Sequence, residues 1–359
     1  MKKIFILILS AVLCISAASC ESAENSVINE NINQENQENQ TEPDKIYEII
    51  REYIVVGERT EWALSGVLTL PKDADGKVPA VVLVHGSGPH DMDSTLFENK
   101  PFRDIAEYLS SRGIAVIRYD KRTFTHGLKM VQTSGGSLTV YEETIEDAVL
   151  AAEILRDDSR IDGNKIFIAG LSLGGMLAPR IHAEGGNFAG IISLAGSPRS
   201  IHDISFDQQM AYWETMPESE DKDYALSSDY KEFYAAELER IFSLPDDEAK
   251  NTLVGGVSAY YYKDWDKILT HEYVNNINIP FLIMQGSADF QVYADKDFVE
   301  WQKLLAGREN ATFKLYENLN HIFMQSSGYN ITELEKEYGA KSNVDAQVLQ
   351  DMADWIKSK

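Results

Sequence analysis

The stretch that most constrains how this chain can fold is residues 165–175, with the sequence KIFIAGLSLGG. The apolar, β-branched run at 166–168 predicts a buried strand, since it is too short for a helix. It leads into Gly170, Ser172 and Gly174, and a helical pattern follows. This G-x-S-x-G order is typical of a nucleophile elbow, a strained turn that exposes the serine hydroxyl. We therefore predict that Ser172 is a nucleophile, and that side chains at 170 and 174 would collide with backbone.

Strand and helix patterns alternate on both sides of this stretch. Strands are predicted at residues 78–84, 114–119, 190–194, 279–285 and 311–316, and helices near residues 102–109, 140–155, 176–183, 294–305 and 344–356. Such alternation requires crossover connections and predicts an α/β fold with a mainly parallel central sheet flanked by helices. Two strand-like runs at 46–56 and 62–70 flank a turn signal and predict an N-terminal β-hairpin.

The alternation stops between residues 200 and 278, where helical periodicity is clearest at 229–242. An insertion at this point lies over the carboxyl edge of the sheet, where α/β folds bind ligands. We predict a mostly helical cap at 200–278 between two parts of the core, 46–199 and 279–359. Its aromatic residues either line a substrate pocket or pack the cap onto the body: Tyr212, Trp213, Tyr260, Tyr261, Tyr262 and Trp265.

A serine nucleophile needs a base to take its proton and an acid to orient that base. On a sheet of this kind the chain order is serine, then an acidic residue, then histidine. Asp289 follows the strand at 279–285, and His321 is the one histidine of seven that lies beyond it. We predict Ser172 as nucleophile, Asp289 as orienting acid and His321 as base, with a purely structural His321 as the alternative.

Attack on an ester carbonyl also needs hydrogen-bond donors for the developing oxyanion. The backbone N–H of Leu173, at the start of the helix after the elbow, is predicted to be one donor. The other is the backbone N–H of Ser87, in the glycine-containing loop that follows the strand at 78–84. In the same loop His85 is predicted to support the loop rather than to react.

Five segments in this order resemble the α/β-hydrolase superfamily and, more narrowly, a branch of bacterial serine esterases. They are His85-Gly86-Ser87-Gly88-Pro89, Tyr119-Asp120-Lys121-Arg122, Gly170-Leu171-Ser172-Leu173-Gly174-Gly175, Gln285-Gly286-Ser287-Ala288-Asp289-Phe290-Gln291-Val292 and Asn320-His321-Ile322-Phe323. The resemblance implies an α/β-hydrolase fold and hydrolysis of short-acyl carboxylic esters through an acyl-enzyme, with no cofactor. It assigns the same roles to Ser172, Asp289 and His321.

The chain departs from the family pattern at two points. Leu171 stands where the family often has histidine or tyrosine, and Thr123-Phe124-Thr125-His126 follows Arg122 where the family usually has glycine. The second departure bears on substrate preference. His126 either reaches the mouth of the pocket or lies in a surface loop.

Two other functions remain open. A serine peptidase or an acyltransferase would use the same three residues, because the cap and loops select the leaving group and the acyl acceptor. A non-catalytic, ligand-binding lipoprotein could keep the fold, although such proteins usually lose one member of the triad.

The composition limits the classes of ligand and partner that the protein is expected to bind. A net charge of −24 and a pI near 4.6 argue against nucleic acid, because phosphate binding needs a basic surface, and favour a neutral small-molecule ester. No P-loop, H-E-x-x-H or C-x-x-C occurs, so no cofactor and no metal site is expected. The segment His90-Asp91-Met92-Asp93 lacks the helix that would set ligand geometry, and we expect it to be a loop.

The N-terminus predicts export. Met1-Lys2-Lys3 is followed by an apolar run at 4–15, small residues at 16–19 and Cys20. We predict a lipoprotein signal at 1–19, lipidation of Cys20 and an extracytoplasmic position on the bacterial cell membrane, which the protein contacts only through this anchor. Simple secretion with cleavage near Ser19 is the alternative. Residues 20–45 are of low complexity and predict a disordered tether.

Overall fold

The structure is a computed structural model that describes residues 45–267 and 269–359. The predicted signal, Cys20 and the tether as far as residue 44 lie outside the described residues. In the two described ranges, no helix is both long and apolar enough to cross a membrane.

The described residues form ten strands. In chain order these are β1 (Ile49–Val56), β2 (Leu64–Pro71), β3 (Val78–Val84), β4 (Ala115–Tyr119), β5 (Ile161–Leu171), β6 (Gly190–Leu194), β7 (Leu253–Val254), β8 (Val257–Ser258), β9 (Phe281–Gly286) and β10 (Ala311–Tyr316). Strands β7 and β8 form a small hairpin, and the other eight form one sheet in the order β1-β2-β4-β3-β5-β6-β9-β10. The pairs β1–β2 and β2–β4 are antiparallel and the remaining pairs are parallel, which confirms the mainly parallel sheet and the N-terminal hairpin.

Helices cover the sheet. In the described part of the chain they are α1 (Pro101–Ser111), α2 (Arg122–Ser134), α3 (Glu146–Asp157), α4 (Leu173–Ile181), α5 (Ile201–Thr215), α6 (Glu220–Ala225), α7 (Ser228–Ser243), α8 (Asp246–Asn251), α9 (Ala259–Trp265), α10 (Thr270–Asn275), α11 (Val299–Leu304), α12 (Leu334–Tyr338) and α13 (Ala346–Lys357). Three π-helical turns adjoin α3, α4 and α11. The helices predicted near 140–155, 176–183 and 294–305 therefore each contain such a turn.

Strand β3 shows why a central strand of this sheet can be apolar throughout. Val82 belongs to the core on one face of the sheet together with Ile168 of β5, whereas Val81 belongs to the core on the other face together with Phe167. All four side chains are fully buried or nearly so. A strand covered on both faces has no solvent-facing position, which explains the continuous apolar run of β3.

The segment between β6 and β9 contains α5 to α10 and the β7–β8 hairpin. Helix α7 matches the predicted helix at 229–242 closely. Tyr230 and Tyr234 on this helix are buried, and the Tyr234 hydroxyl donates to the His202 carbonyl at 3.1 Å. Phe233 on the same helix is 40% exposed, although its ring lies 6.3 Å from that of Tyr230 between centroids.

The surface loop that was one of the two alternatives for His126 is instead part of helix α2, which begins at Arg122. Arg122 is buried and pairs with Asp147 and Glu146 of α3, which fixes this end of the helix. His126 Nε2 lies 3.0 Å from the Ala63 carbonyl oxygen, and because a carbonyl only accepts, Nε2–H is the donor. Its ring contacts Trp62 edge-on, so it lies against the β1–β2 connection. The sequence interpretation failed because the helix is anchored by a distant ion pair, not by local apolar periodicity.

The end of β5 crosses α4 and β3 at very short range. A Cβ at Gly170 would lie 2.1 Å from the Gly174 carbonyl, and one at Gly174 would lie 2.3 Å from the Val84 carbonyl oxygen. Backbone atoms cannot move aside as flexible side chains do. The predicted collision at both glycines is therefore confirmed, and the crossing holds the turn at residue 172 in place.

Gly170→Ala is therefore expected to lower the free energy of unfolding by at least about 3 kcal/mol, because the added methyl overlaps the α4 backbone. Gly163→Ala is the matched control in the same strand, since a Cβ there meets nothing within 4 Å. Urea unfolding of both variants gives the comparison. Similar stabilities for the two variants would contradict the close crossing.

Candidate active site

Ser172 lies between the end of β5 and the start of α4, in the left-handed region of backbone space with φ 55° and ψ −115°. Non-glycine residues hold such angles only where the surrounding structure enforces them. The Ser172 N–H donates to the Leu194 carbonyl at 2.8 Å, and its carbonyl accepts from the Met176 N–H at 3.0 Å. The backbone is thus fixed on both sides, and the residue lines a cavity.

Asp289 and His321 are directly joined. His321 Nδ1 lies 2.7 Å from Asp289 Oδ2, and both side chains are buried. Because a carboxylate only accepts hydrogen bonds, Nδ1 carries the proton and Nε2 of a neutral ring keeps its lone pair. This is the tautomer that a general base requires.

Three further donors fix the Asp289 carboxylate. Gln285, near the end of β9, donates from Nε2 to Oδ2 at 2.9 Å, and the backbone N–H groups of Gln291 and Val292 donate to Oδ1 at 2.8 and 3.0 Å. With His321, the carboxylate accepts four hydrogen bonds. Strand β9 and the turn after it therefore fix the orientation of the Asp289 carboxylate.

The turn that carries His321 is organised by its neighbour. Asn320 Oδ1 accepts from the N–H groups of Ile322 and Met324, and Asn320 Nδ2 donates to buried Glu337 at 3.0 Å. Gly286 places this turn beside β9, because a Cβ there would lie 2.2 Å from the Leu319 carbonyl oxygen. Asn320 therefore positions the histidine, a role that sequence reasoning did not assign. Its place beside His321 in the Asn-His segment was the signal.

The three predicted residues share one edge of the sheet. Strands β5, β6, β9 and β10 run parallel, and Ser172, Asp289 and His321 each follow the carboxyl end of one of them. Within the described residues, no hydrogen bond joins the Ser172 hydroxyl to the imidazole. The structure thus joins the acid and the histidine and places the serine on the same edge.

The loop after β3 approaches the serine. A Cβ at Gly86 would lie 3.2 Å from the Ser172 Cβ, so this glycine lets the loop come close. Ser87 and Leu173 both line the cavity beside Ser172. Leu173 is the first residue of α4, where the N–H has no partner within its own helix. Both predicted oxyanion donors are therefore on residues next to the serine.

His85 supports this loop from beneath. The ring is almost fully buried, its Nε2 lies 2.6 Å from the Tyr119 carbonyl oxygen, and it stacks on Phe102 at 4.7 Å between centroids. Burial, with smaller contributions from His90 and Lys121, lowers the pKa of His85 well below its usual value. The residue acts as a neutral packing group, the supporting role expected for it.

His90 holds the next peptide of the loop. Its Nε2 lies 2.7 Å from the Ser87 carbonyl oxygen, and its own carbonyl accepts from the Lys121 N–H at 2.9 Å. Burial and then the Lys121 ammonium lower the pKa of His90 to about 4. The ring is therefore neutral near pH 7, with Nε2–H donating to the carbonyl.

A cavity of about 370 Å³ opens beside Ser172. Apolar side chains of α2, α4 and α5 form much of its wall, and three of the predicted cap aromatics line it: Tyr261, Tyr262 and Trp265. Tyr212 and Trp213 instead contact each other, and Tyr260 packs against the core. Asp289 and His321 are not among the described lining residues, but Gln291 and Val292 from the same turn are.

Glu143 is the only charged side chain among the described residues that line the cavity. Its carboxylate is fully engaged: Oε1 lies 2.5 Å from the Lys121 ammonium, and Oε2 accepts from the Tyr261 hydroxyl. The cavity therefore presents no free charge from these residues, which suits a neutral ligand. No local pattern assigns a role to Lys121 or Glu143, because their contact joins residues that are distant in sequence.

Comparisons with known proteins bear on the family and the fold. A model of the alpha/beta hydrolase family matches residues 81–328. The chain is 37% identical over 295 residues to esterase EstD of Thermotoga maritima, a match that covers 82% of this chain and 65% of EstD. The chain therefore spans just under two thirds of the length of that curated relative.

Solved structures show the same fold at lower identity. Est1E of Butyrivibrio proteoclasticus with bound ferulic acid has a TM-score of 0.51 at 16% identity, covering 86% of this chain and 98% of that one. Dipeptidyl peptidase 4 of Porphyromonas gingivalis has a TM-score of 0.50 at 15% identity, covering 86% and 35%. At such identities the likeness concerns the fold alone, which an esterase and a peptidase evidently share.

Because the folded protein keeps His90 neutral, its free energy of unfolding is expected to depend on pH. Its folded-state pKa of about 4 lies below the ordinary value of 6.5, so its contribution is present above pH 6.5 and is lost as the pH falls toward 4. Between pH 7.5 and pH 5 the wild type should lose about 2 kcal/mol more unfolding free energy than His90→Gln, in which the amide donates without titrating. Urea unfolding at both pH values measures this, and equal losses in the two proteins would contradict it.

Proposed function

This chain belongs to the alpha/beta hydrolase family, and we propose that it is a serine hydrolase that cleaves carboxylic esters. The observation that carries the proposal is the Asp289–His321 hydrogen bond, on the sheet edge where Ser172 leaves β5 in a strained turn. The likeness to an esterase at 37% identity supports ester bonds as the target.

In the proposed acylation, the Ser172 oxygen attacks the ester carbonyl while His321 Nε2 takes its proton. Asp289 accepts from Nδ1–H and stabilises the imidazolium that forms. The carbonyl oxygen becomes an oxyanion, and the N–H groups of Ser87 and Leu173 donate to it. The intermediate then expels the alcohol oxygen, which takes the proton from Nε2, and the acyl group remains on Ser172.

Deacylation repeats the sequence with water. His321 Nε2 takes a proton from the water as its oxygen attacks the acyl carbon, and the same two N–H groups hold the oxyanion. Collapse breaks the bond to the Ser172 oxygen, which regains its proton from the ring, and a carboxylic acid leaves. Catalytic hydrogen bonds are often long without substrate, so the serine–histidine bond is expected to form when an ester occupies the site.

The cavity supports small, neutral esters. Its volume of about 370 Å³ lies near the lower end of the range for ligand sites, about 300–1,000 Å³. An apolar wall without a free charge favours an uncharged acyl group. We therefore propose short-acyl esters as substrates. A peptidase or an acyltransferase would use the same triad, and no described contact favours either one over the esterase.

We also propose that the protein is exported and anchored by lipid on Cys20, facing the extracytoplasmic side of the bacterial cell membrane. The proposal rests on the order of charged, apolar and small residues that precede this cysteine. Residues 20–45 would then act as a tether between the anchor and the hydrolase fold.

The esterase activity is tested with Ser172→Ala in protein that lacks residues 1–20. The wild type is expected to hydrolyse p-nitrophenyl acetate, and the variant to lose at least about a thousandfold in kcat, because the hydroxyl that attacks the carbonyl is removed. Ser205→Ala is the control, since Ser205 also lines the cavity but has no proposed role. Activity that survives in Ser172→Ala would show that the nucleophile is another residue.

The same assay is run on a panel from acetate to decanoate and on matched p-nitroanilides. Esters with acyl chains of about two to four carbons are expected to have the highest kcat/KM, because the cavity is small. Amide hydrolysis at a comparable kcat/KM would favour the peptidase alternative.

Lipidation is tested with Cys20→Ala in the full chain expressed in a bacterial host. The wild type is expected in the membrane fraction with an increased N-terminal mass on Cys20, whereas the variant is expected in the soluble extracytoplasmic fraction. A wild-type protein released without added mass, with its N-terminus near residue 20, would instead show simple secretion.

A further inference from the structure

A buried ammonium lies directly behind the oxyanion loop. The Lys121 side chain is 2% exposed, and its Nζ donates to the Gly86 carbonyl at 2.8 Å and to Glu143 Oε1 at 2.5 Å. Burying a charge is costly unless it is paired and hydrogen-bonded, so each of these contacts has an energetic reason. The contact with the Gly86 carbonyl joins the ammonium to the loop peptide that lies beside Ser172.

The Gly86 carbonyl and the Ser87 N–H belong to the same peptide group. The described residues contain no cis peptide bonds, so these two groups point in opposite directions across one plane. A donor fixed on the Gly86 oxygen therefore sets the direction in which the Ser87 N–H points. A cationic donor also polarises the peptide and makes its N–H a stronger donor, because hydrogen bonds in a chain reinforce one another at low dielectric.

Lys121 is itself held from the other side. Glu143 accepts from Lys121 with one oxygen and from the Tyr261 hydroxyl with the other. Tyr261 belongs to α9, beyond β6 in the chain, and burial followed by the Glu143 charge raises its pKa well above the usual value. The hydroxyl thus stays a donor across the working pH range. A continuous series of hydrogen bonds therefore connects Tyr261 on α9, through Glu143 and Lys121, to the loop after β3.

Stability alone gives a weak reason for this arrangement. Replacing a buried ion pair with apolar residues is often neutral or stabilising, because desolvation offsets the attraction between the charges. The nearby pair of Arg122 and Asp147 is equally buried, but within the described part of the chain neither side chain hydrogen-bonds a peptide of the loop after β3. What distinguishes Lys121 is its bond to the Gly86 oxygen.

We propose that Lys121 is a positioning residue for the reaction: it orients and polarises the Gly86–Ser87 peptide so that the Ser87 N–H stabilises the oxyanion, with Glu143 and Tyr261 holding the ammonium in place. The inference rests on the proposed esterase function. It explains a charged network beside a cavity whose ligand is neutral.

The test is Lys121→Met in protein that lacks residues 1–20, assayed with p-nitrophenyl acetate. Removing one oxyanion donor costs about 100- to 1,000-fold in kcat, so misplacing one should cost about 10- to 100-fold, with KM within about threefold of wild type. Affinity for a trifluoromethyl ketone, to which the serine adds to form an oxyanion, should fall by a similar factor. A purely structural lysine would change the melting temperature without this selective loss.

Two further variants complete the experiment. Glu143→Gln keeps the volume of the side chain but removes the charge that holds Lys121, and should lower kcat and ketone affinity together by about three- to tenfold. Arg122→Lys weakens the neighbouring buried pair and should lower stability with kcat unchanged.

A folded Lys121→Met with wild-type kcat and ketone affinity would overturn the inference. If that variant is insoluble, unchanged kcat and affinity in Glu143→Gln would overturn it equally. Wild-type protein that hydrolyses no ester would overturn the proposed function and the inference with it, whereas wild-type activity with unaffected variants would overturn the inference alone.

Discussion

The close crossing of β5, α4 and β3 is the constraint on which the rest of the site depends. At Gly170 and Gly174 the backbones approach so closely that a single methyl group does not fit. This contact forces the turn at Ser172 into left-handed backbone geometry, where the residue is fixed by hydrogen bonds to Leu194 and Met176. The exposed hydroxyl is therefore a consequence of packing, and the strain is sustained by a core buried on both faces of the sheet.

Around this fixed point, each functional group is held by a dedicated partner. Asp289 accepts four hydrogen bonds, His321 follows a turn organised by Asn320, and the loop at Ser87 is held from behind by His90 and Lys121. Such pre-organisation matters because an oxyanion is stabilised by donors that need not reorient as charge develops. The same logic explains why polar residues occur deep in an otherwise apolar body.

The elements with a strong local signal were predictable. Strands β3, β6 and β10 have the predicted bounds: β3 is a continuous apolar run, β6 is apolar apart from Ser193, and β10 alternates apolar and polar residues. That Ser172, Asp289 and His321 share one edge of the sheet could be predicted, because parallel strands bring their carboxyl ends to the same edge. Helix α2 was missed, since Arg122 is anchored by Asp147 of α3, a contact that no local pattern encodes.

By itself, the sequence determined the class of fold, the chain order of the three reactive residues and the need for glycine at the elbow, since these follow from periodicity and local sterics. Only the tertiary structure decided which groups meet across long separations: Lys121 with Glu143 and the Gly86 carbonyl, and Tyr261 with the same carboxylate. Hydrogen-bond partners are selected by three-dimensional distance and direction, which a one-dimensional pattern does not contain.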